Sequence, residues 1–296
     1  MVGRESVAVE TAAAEVRLMT ALAYLDAYFA GETLRLTRLS EHHVHEELEA
    51  AKARLSSASG SSQEVLAATG ALGMAEDESA DVQQQQSAAR VALERWVGLR
   101  VDELATRAEL AGVDEQAFVA HHPMVSAAQR DAELAARVAA AAAIDRKPNW
   151  SWEVSYGQRT GYSDMVSFGV SIPLPVSPAE RQDRETASKL ALVDKAEANL
   201  AEATRAAQAE HRGLTSDTGR LAERIRRYES SVVLAARQRT EAALAGYRSN
   251  QVTLMTLFEA RHMEVEAQRK LLMLQRDLAK ARAQLAFKPL VDGGVR

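Results

Sequence analysis

Residues 5–58 and 179–247 contain no proline. A proline inside a helix removes a backbone hydrogen bond and clashes with the preceding turn. Both tracts are rich in Ala, Leu, Glu and Arg, the residues that hold helix best. At roughly 1.5 Å per residue, a helix over 179–247 would be about 100 Å long. A single globular domain has no use for that length, so the chain must build a coiled coil or an elongated bundle. Aromatic residues make up only 5% of the chain, which suits narrow packing seams better than a thick core.

The rest of the sequence fits the same plan. A second helical stretch spans 62–97, after a serine-rich turn at 56–62, "SSASGSS". Residues 98–120 are mixed and compact. A further helix starts near Pro123, where His121-His122 reads as its entry. A break at "RSNQVT" precedes a last helix from Leu254 to about Phe287. Leu214, Leu221 and Tyr228 are seven apart, with Ile225 and Val232 between them, and Leu271, Leu274, Leu278, Ala281 and Leu285 repeat the pattern. These are heptad-like seams.

The chain also repeats itself. A shift of 192 positions puts Leu55 on Tyr247, Ala58 on Asn250, Ser61 on Thr253, Val65 on Leu257, Leu66 on Phe258 and Ala68 on Ala260. The same shift pairs Leu22 with Leu214, Phe29 with Leu221 and Leu36 with Tyr228. On the returning helix it pairs Val82 with Leu274, Ala89 with Ala281 and Leu93 with Leu285. Two helical hairpins of like build are expected, each turning at a comparable tip. Extended upstream, the shift places a counterpart of Pro173 before Met1, so the sequence reads as the last two-thirds of a longer pattern.

One stretch breaks the helical pattern: "PNWSWEVSYGQRTGYSDMVSFGVSIPLPVSP", residues 148–178. Trp150, Trp152, Val154 and Tyr156 alternate with small or polar residues. After a turn at "GYSD", Val166, Phe168, Val170 and Ile172 do the same. This is the period-two code of two strands with one apolar face. Strands of about ten residues suit a tilted crossing of a bilayer, and transmembrane barrels carry apolar-out, polar-in alternation with aromatics at the interfaces. A soluble hairpin packed on helices has the same pattern. A single hairpin has two open edges, which a bilayer does not tolerate, so a membrane reading demands that several chains close one barrel.

Other classes find little support. The net charge of -5 comes from interspersed acids and bases, without the basic face of a nucleic-acid binder. Cysteine is absent, which removes disulfides, thiolate metal sites and a cysteine nucleophile. No nucleophile triad, phosphate loop or carboxylate pair stands out, and neither enzyme activity nor a cofactor is expected. His42 and His45 share a helical face beside His43, but "HEELE" misses the second histidine of H-E-x-x-H, so solvent-facing histidines compete with a metal site. No stretch of about 18 apolar residues predicts a membrane helix. The first twenty residues hold no apolar core of a signal peptide, although an outer-membrane reading requires export.

The island, its Pro173-Leu174-Pro175 exit and the following "RQDRE" resemble the second barrel hairpin of the TolC-like outer-membrane efflux channels. The likeness is greatest to their heavy-metal branch, the CzcC and CusC type. The second tip resembles the same family: Tyr247, then Asn250, then Thr253, then Thr256-Leu257-Phe258-Glu259-Ala260. The resemblance implies a mainly α chain, with long antiparallel coiled-coil hairpins and one β-hairpin contributing to a transmembrane barrel. It divides the chain into a first periplasmic helical hairpin (1–97), an equatorial segment (98–121) and a helix leading to the barrel (122–147). The outer-membrane hairpin (148–177), a second periplasmic hairpin (178–287) and a tail (288–296) follow. It implies a homotrimer in the outer membrane that accepts cargo, heavy-metal cations in this branch, from an inner-membrane RND-type pump through a periplasmic adaptor. The adaptor would dock at tips formed by Leu55, Ala58, Ser61, Glu64, Tyr247, Arg248, Asn250, Thr253 and Thr256. Trp150, Trp152, Val154, Tyr156, Val166, Phe168, Val170 and Ile172 would face lipid.

The departures from the family pattern are specific. Its turn glycine is Ala58 in the first tip, where Gly60 is expected to serve instead, and Asn250 in the second. Its tip acid is Glu64 in the first tip but Thr256 in the second. Two strands per chain give a trimer six, fewer than the eight of the smallest common barrels. The competing expectation is a soluble coiled-coil scaffold or adaptor-like protein.

Overall fold

The computed structural model describes residues 2–101, 103–105, 110, 112–144, 150–158, 160–172 and 182–290, except for the side chains of 2–7 and 182. The Pro173-Leu174-Pro175 exit, Lys147-Pro148-Asn149 and the tail from 291 lie outside the described residues. The element order is α1 (Val2–Ser56), α2 (Ser62–Val97), α3 (Glu115–Ala120), α4 (Pro123–Ile144), β1 (Ser151–Gly157), β2 (Met165–Ser171), α5 (Gln182–Arg227), a π-turn (Tyr228–Val233), α6 (Leu234–Arg248) and α7 (Leu254–Phe287). None of the described helices is long and apolar enough to cross a membrane.

The chain forms two compact units, one of residues 1–8 and 119–208 and one of residues 9–118 and 209–296. In the first unit α4 opens on Pro123, whose missing N–H costs nothing at that position. The ring Nδ1 of buried His122 accepts the Met124 N–H at 3.3 Å, which makes it the entry residue the sequence suggests. Val125, Ala203 and Ala207 form the seam between α4 and α5. The alanines there are small enough to bring the two backbones close.

β1 and β2 pair antiparallel, with Trp152 opposite Val170, Val154 opposite Phe168 and Tyr156 opposite Val166. Directly paired residues share a face, so the apolar side chains of both strands lie together. The described strands have seven residues each rather than about ten. The connection is also longer than the expected "GYSD": it takes up all of 158–164, with Gly161 at φ +89° and the Tyr156 hydroxyl donating to Asp164 Oδ2 at 2.5 Å.

The second unit is the paired-hairpin bundle. Its largest seam joins both hairpins: Leu48 and Ala51 of α1, Ala68 of α2, Ala243 and Tyr247 of α6, and Leu254, Leu257 and Ala260 of α7. Farther along, Ile225, Leu274 and Leu278 pack together, and so do Leu25, Phe29, Ala279 and Ala283. The segment expected to be compact, 98–120, leaves α2 through Gly98 at φ +72°. It is pinned to α5 by the Phe118 ring tilted against His211, by His211 Nε2 2.9 Å from the Val113 carbonyl, and by Arg212 against the Glu115 carboxylate at 2.8 Å.

The repeat holds near the tips and slips above them. α1 ends at Ser56 and α6 at Arg248; α2 begins at Ser62 and α7 at Leu254, all 192 apart. Above the π-turn the burial pattern shifts to 191: Ile225 corresponds to buried Leu34, and Tyr228 to buried Thr37. The pairing of Leu36 with Tyr228 is therefore out by one residue, Tyr228 matching Thr37 instead. Val232, expected in the seam, is 41% exposed for the same reason. A π-turn closes on i→i+5 bonds and absorbs one residue that an α-turn would not.

Candidate functional site

The two tips are built alike, down to individual hydrogen bonds. In the first, the N–H groups of Ser59 and Gly60 both donate to the Arg54 carbonyl, at 2.9 and 3.0 Å. In the second, those of Gln251 and Val252 both donate to the Gly246 carbonyl, at 2.7 and 3.3 Å. Ala58 and Asn250 sit in left-handed geometry at φ 56° and 57°. Asn tolerates that region and Ala does not do so readily. Gly60, expected to supply the left-handed position in the first tip, does not; Ala58 does.

Gly60 is needed for another reason. A Cβ there would lie 2.9 Å from the Arg54 Cβ. In the second tip the glycine sits on the opposite partner: a Cβ on Gly246 would lie 3.1 Å from Val252 Cγ2. Gly246 and Val252 are the 192-shifted counterparts of Arg54 and Gly60. Each tip thus has one small residue in the same close contact, on opposite sides of it. This leaves the first tip room for a long side chain at 54.

Arg54 uses that room to join the tips. Its Nη2 donates to Asn250 Oδ1 at 2.6 Å, and its guanidinium lies 4.8 Å from the centre of the Tyr247 ring. Charge-assisted and cation–π contacts of this kind are the stronger polar contacts a protein makes. Tyr247 is only 6% exposed, and Leu257 beneath it is fully buried. Burial pushes the Tyr247 phenol above its usual range, Arg54 opposes this, and Glu64 and Glu47 add to it.

Ser61 and Thr253 cap the returning helices, accepting the N–H of Glu64 at 3.2 Å and of Thr256 at 3.3 Å. Removing such a cap typically costs about 1 kcal/mol. The Thr256 hydroxyl pairs with the Thr253 hydroxyl at 3.1 Å. Arg248, Asn250, Gln251, Ser61 and Leu55 are exposed. Of the predicted tip residues, Tyr247 and Asn250 are joined across the two hairpins, through Arg54. Nothing in the sequence singled out Arg54, because its role depends on a partner almost two hundred residues away.

Deeper in the seam lies an ion pair that the sequence reading missed. Arg261 Nε contacts Glu47 Oε1, and Glu47 is 6% exposed. Its other oxygen is buried without a hydrogen-bond partner among the described residues. Arg269 pairs with Glu78, and Lys280 with Asp26 at 2.6 Å, so α7 carries a row of cations against the first hairpin. His42 and His43 both lean on Glu46, at 3.4 and 3.3 Å, and His45 does not join them. No cluster of three or more metal-ligating side chains occurs among the described residues.

The other candidate surface is the apolar face of the β-hairpin. Its eight predicted residues are between 44% exposed, at Ile172, and 79%, at Trp152. None of the described residues covers them.

No protein-family model and no curated protein matches the chain. Solved structures do. The outer-membrane channel OprN superposes with a TM-score of 0.82 at 17% identity, over 97% of this chain and 69% of its own. This is the fold of the outer-membrane channels. The outer-membrane protein VceC of Vibrio cholerae gives 0.81 at 19% identity, over 97% of this chain and 73% of its own. CusC gives 0.80 at 16% identity, over 96% and 71%. The channel fold accounts for the long hairpins and the single β-hairpin in one chain. CusC superposes no better than OprN, so the fold does not single out the heavy-metal branch.

Proposed function

We propose that the chain is the outer-membrane channel component of a tripartite efflux system. The observation that carries this reading is the bare apolar face of β1 and β2, presented by a chain with the fold of outer-membrane channels. A contiguous patch of tryptophans, valines and Phe168 in water marks a surface meant for another phase. Lipid covers such a face. The unpaired edges of a two-stranded sheet must then be closed by strands from other copies, within a homotrimer.

On this reading the segments divide as the sequence resemblance implies. Residues 1–97 and 178–287 form periplasmic hairpins, 98–121 the equatorial segment, 122–147 the lead-in, 148–177 the membrane hairpin and 288–296 the tail. The joined tips, with exposed Arg248, Asn250, Gln251 and Ser61, meet a periplasmic adaptor, which links the channel to an inner-membrane RND-type pump. Heavy-metal cations are the proposed cargo, on the likeness of the island and the second tip to the metal-exporting branch.

Spin labels at 152 and 168, in the protein reconstituted in lipid, are expected to report hydrocarbon, and labels at 151 and 167 to report water. The opposite pattern, or water at all four, rejects the membrane reading in favour of a soluble coiled-coil protein. Cysteines at 58 and 250 are expected to crosslink to an adaptor's helical hairpin. Crosslinks confined to 150–172 would reject the tips as the docking surface.

A further inference from the structure

We infer that the π-turn Tyr228–Val233 houses one extra residue in the second hairpin, and that it is a local opening point built into an otherwise continuous helix. Packing phase alone carries this, whether or not the chain is a channel.

Along α1 the seam runs through Leu34, Thr37, Glu41, Val44, Leu48 and Ala51 in unbroken steps of three and four, all buried or half-buried. Along the second hairpin it runs through Leu221, Ile225 and Tyr228, and the same stepping would continue to 232, 235 and 239. Val232, Ala235 and Arg239 are instead exposed, and the seam resumes at Val233, Ala236, Thr240, Ala243 and Tyr247. The step from 228 to 233 is five, one more than the pattern allows. It coincides with the only π-helical turn among the described residues.

An insertion in a coiled coil would rotate everything below it by about 100°, since each α-helical residue turns the chain by that angle. That rotation would take Thr240, Ala243 and Tyr247 off α7 and dismantle the tip seam. Housing the residue in a wider turn confines the disturbance to six positions. None of these six is buried, and the turn carries the small polar residues Ser230 and Ser231 on its exposed side. Glu229 is held from α7 by Gln275, Nε2 to Oε1 at 3.3 Å. Tyr228 and Val233 are only half-buried, and a turn with no fully buried residue and solvent-facing backbone bonds is where a long helix opens first. π-turns of this kind recur at functional positions.

The test is to delete Ser231 in the full chain, with deletion of the exposed Arg38 of α1 as the comparison. Removing Ser231 leaves the residues above and below in the phase they already hold, with an α-turn between them. The expected result is a Tm raised by about 2–4 °C and amide exchange across 228–233 slowed about tenfold or more. Exchange at the second tip should be unchanged. Deleting Arg38, where the steps have no slack, is expected to lower Tm by more than about 10 °C. A fall in Tm on deleting Ser231, faster exchange at 250–257, or equal losses in the two variants would overturn the inference.

Discussion

Replacing Arg261 with methionine is expected to destabilise the second unit by about 3–5 kcal/mol at pH 8, because it strands a buried carboxylate. Glu47 is 6% exposed and its Oε2 finds no hydrogen-bond partner among the described residues, so Arg261 is its main compensation. Even with that partner, burial holds the Glu47 carboxyl above its usual range. Arg261 and His43 pull it down, and Glu46 pushes it up. A carboxyl whose pKa is higher in the folded state binds more protons folded than unfolded. Stability therefore falls as pH rises from the ordinary carboxylate range through the raised value. Without Arg261 the raised value climbs further and the fall steepens. Urea unfolding between pH 4 and pH 8 should show the variant's deficit growing with pH and shrinking toward acid. Adding Glu47→Gln should recover most of the loss at pH 8. A deficit independent of pH would mean that Arg261 acts through packing and not through Glu47.

Phe168→Arg is expected to cost about 2–4 kcal/mol of folding in a bilayer if the side chain lies near the midplane. Phe168 is 78% exposed and pairs with Val154 on the apolar face. Ser167→Arg, one residue along, reverses the face, because successive strand residues point oppositely. It should cost far less, since a cation on the polar side meets water. Folding of both variants into lipid vesicles, followed in urea, compares the two faces directly. Equal costs would remove the basis for a lipid-facing side. Because the prediction depends on the membrane reading, unfolding in detergent-free buffer serves as the control. There neither substitution touches a buried group.

The tips reveal where legibility stopped. Their position followed from short-range pattern, since turns are set by residues three or four apart. The choice of Ala58 over Gly60 for the left-handed position did not. Composition favours the glycine, yet the glycine is required at 60 by the approach of Arg54. The slip of the repeat from 192 to 191 was also hidden. Leu and Ala recur so often that two registers align almost equally well, and only burial separates them.

The sequence by itself determined that this protein would be long helices in two like hairpins with one apolar-faced β-hairpin between them. Helix-breaking residues, period-two alternation and turn signals act locally, and the chain carries them in plain order. Only the tertiary structure decided what joins the hairpins: Arg54 on Asn250 and Tyr247, Glu47 on Arg261, and the wide turn that keeps α6 in phase with α7. The first two depend on which residues meet across about two hundred positions of chain. Neither a residue's type nor its neighbours in sequence carry that distance.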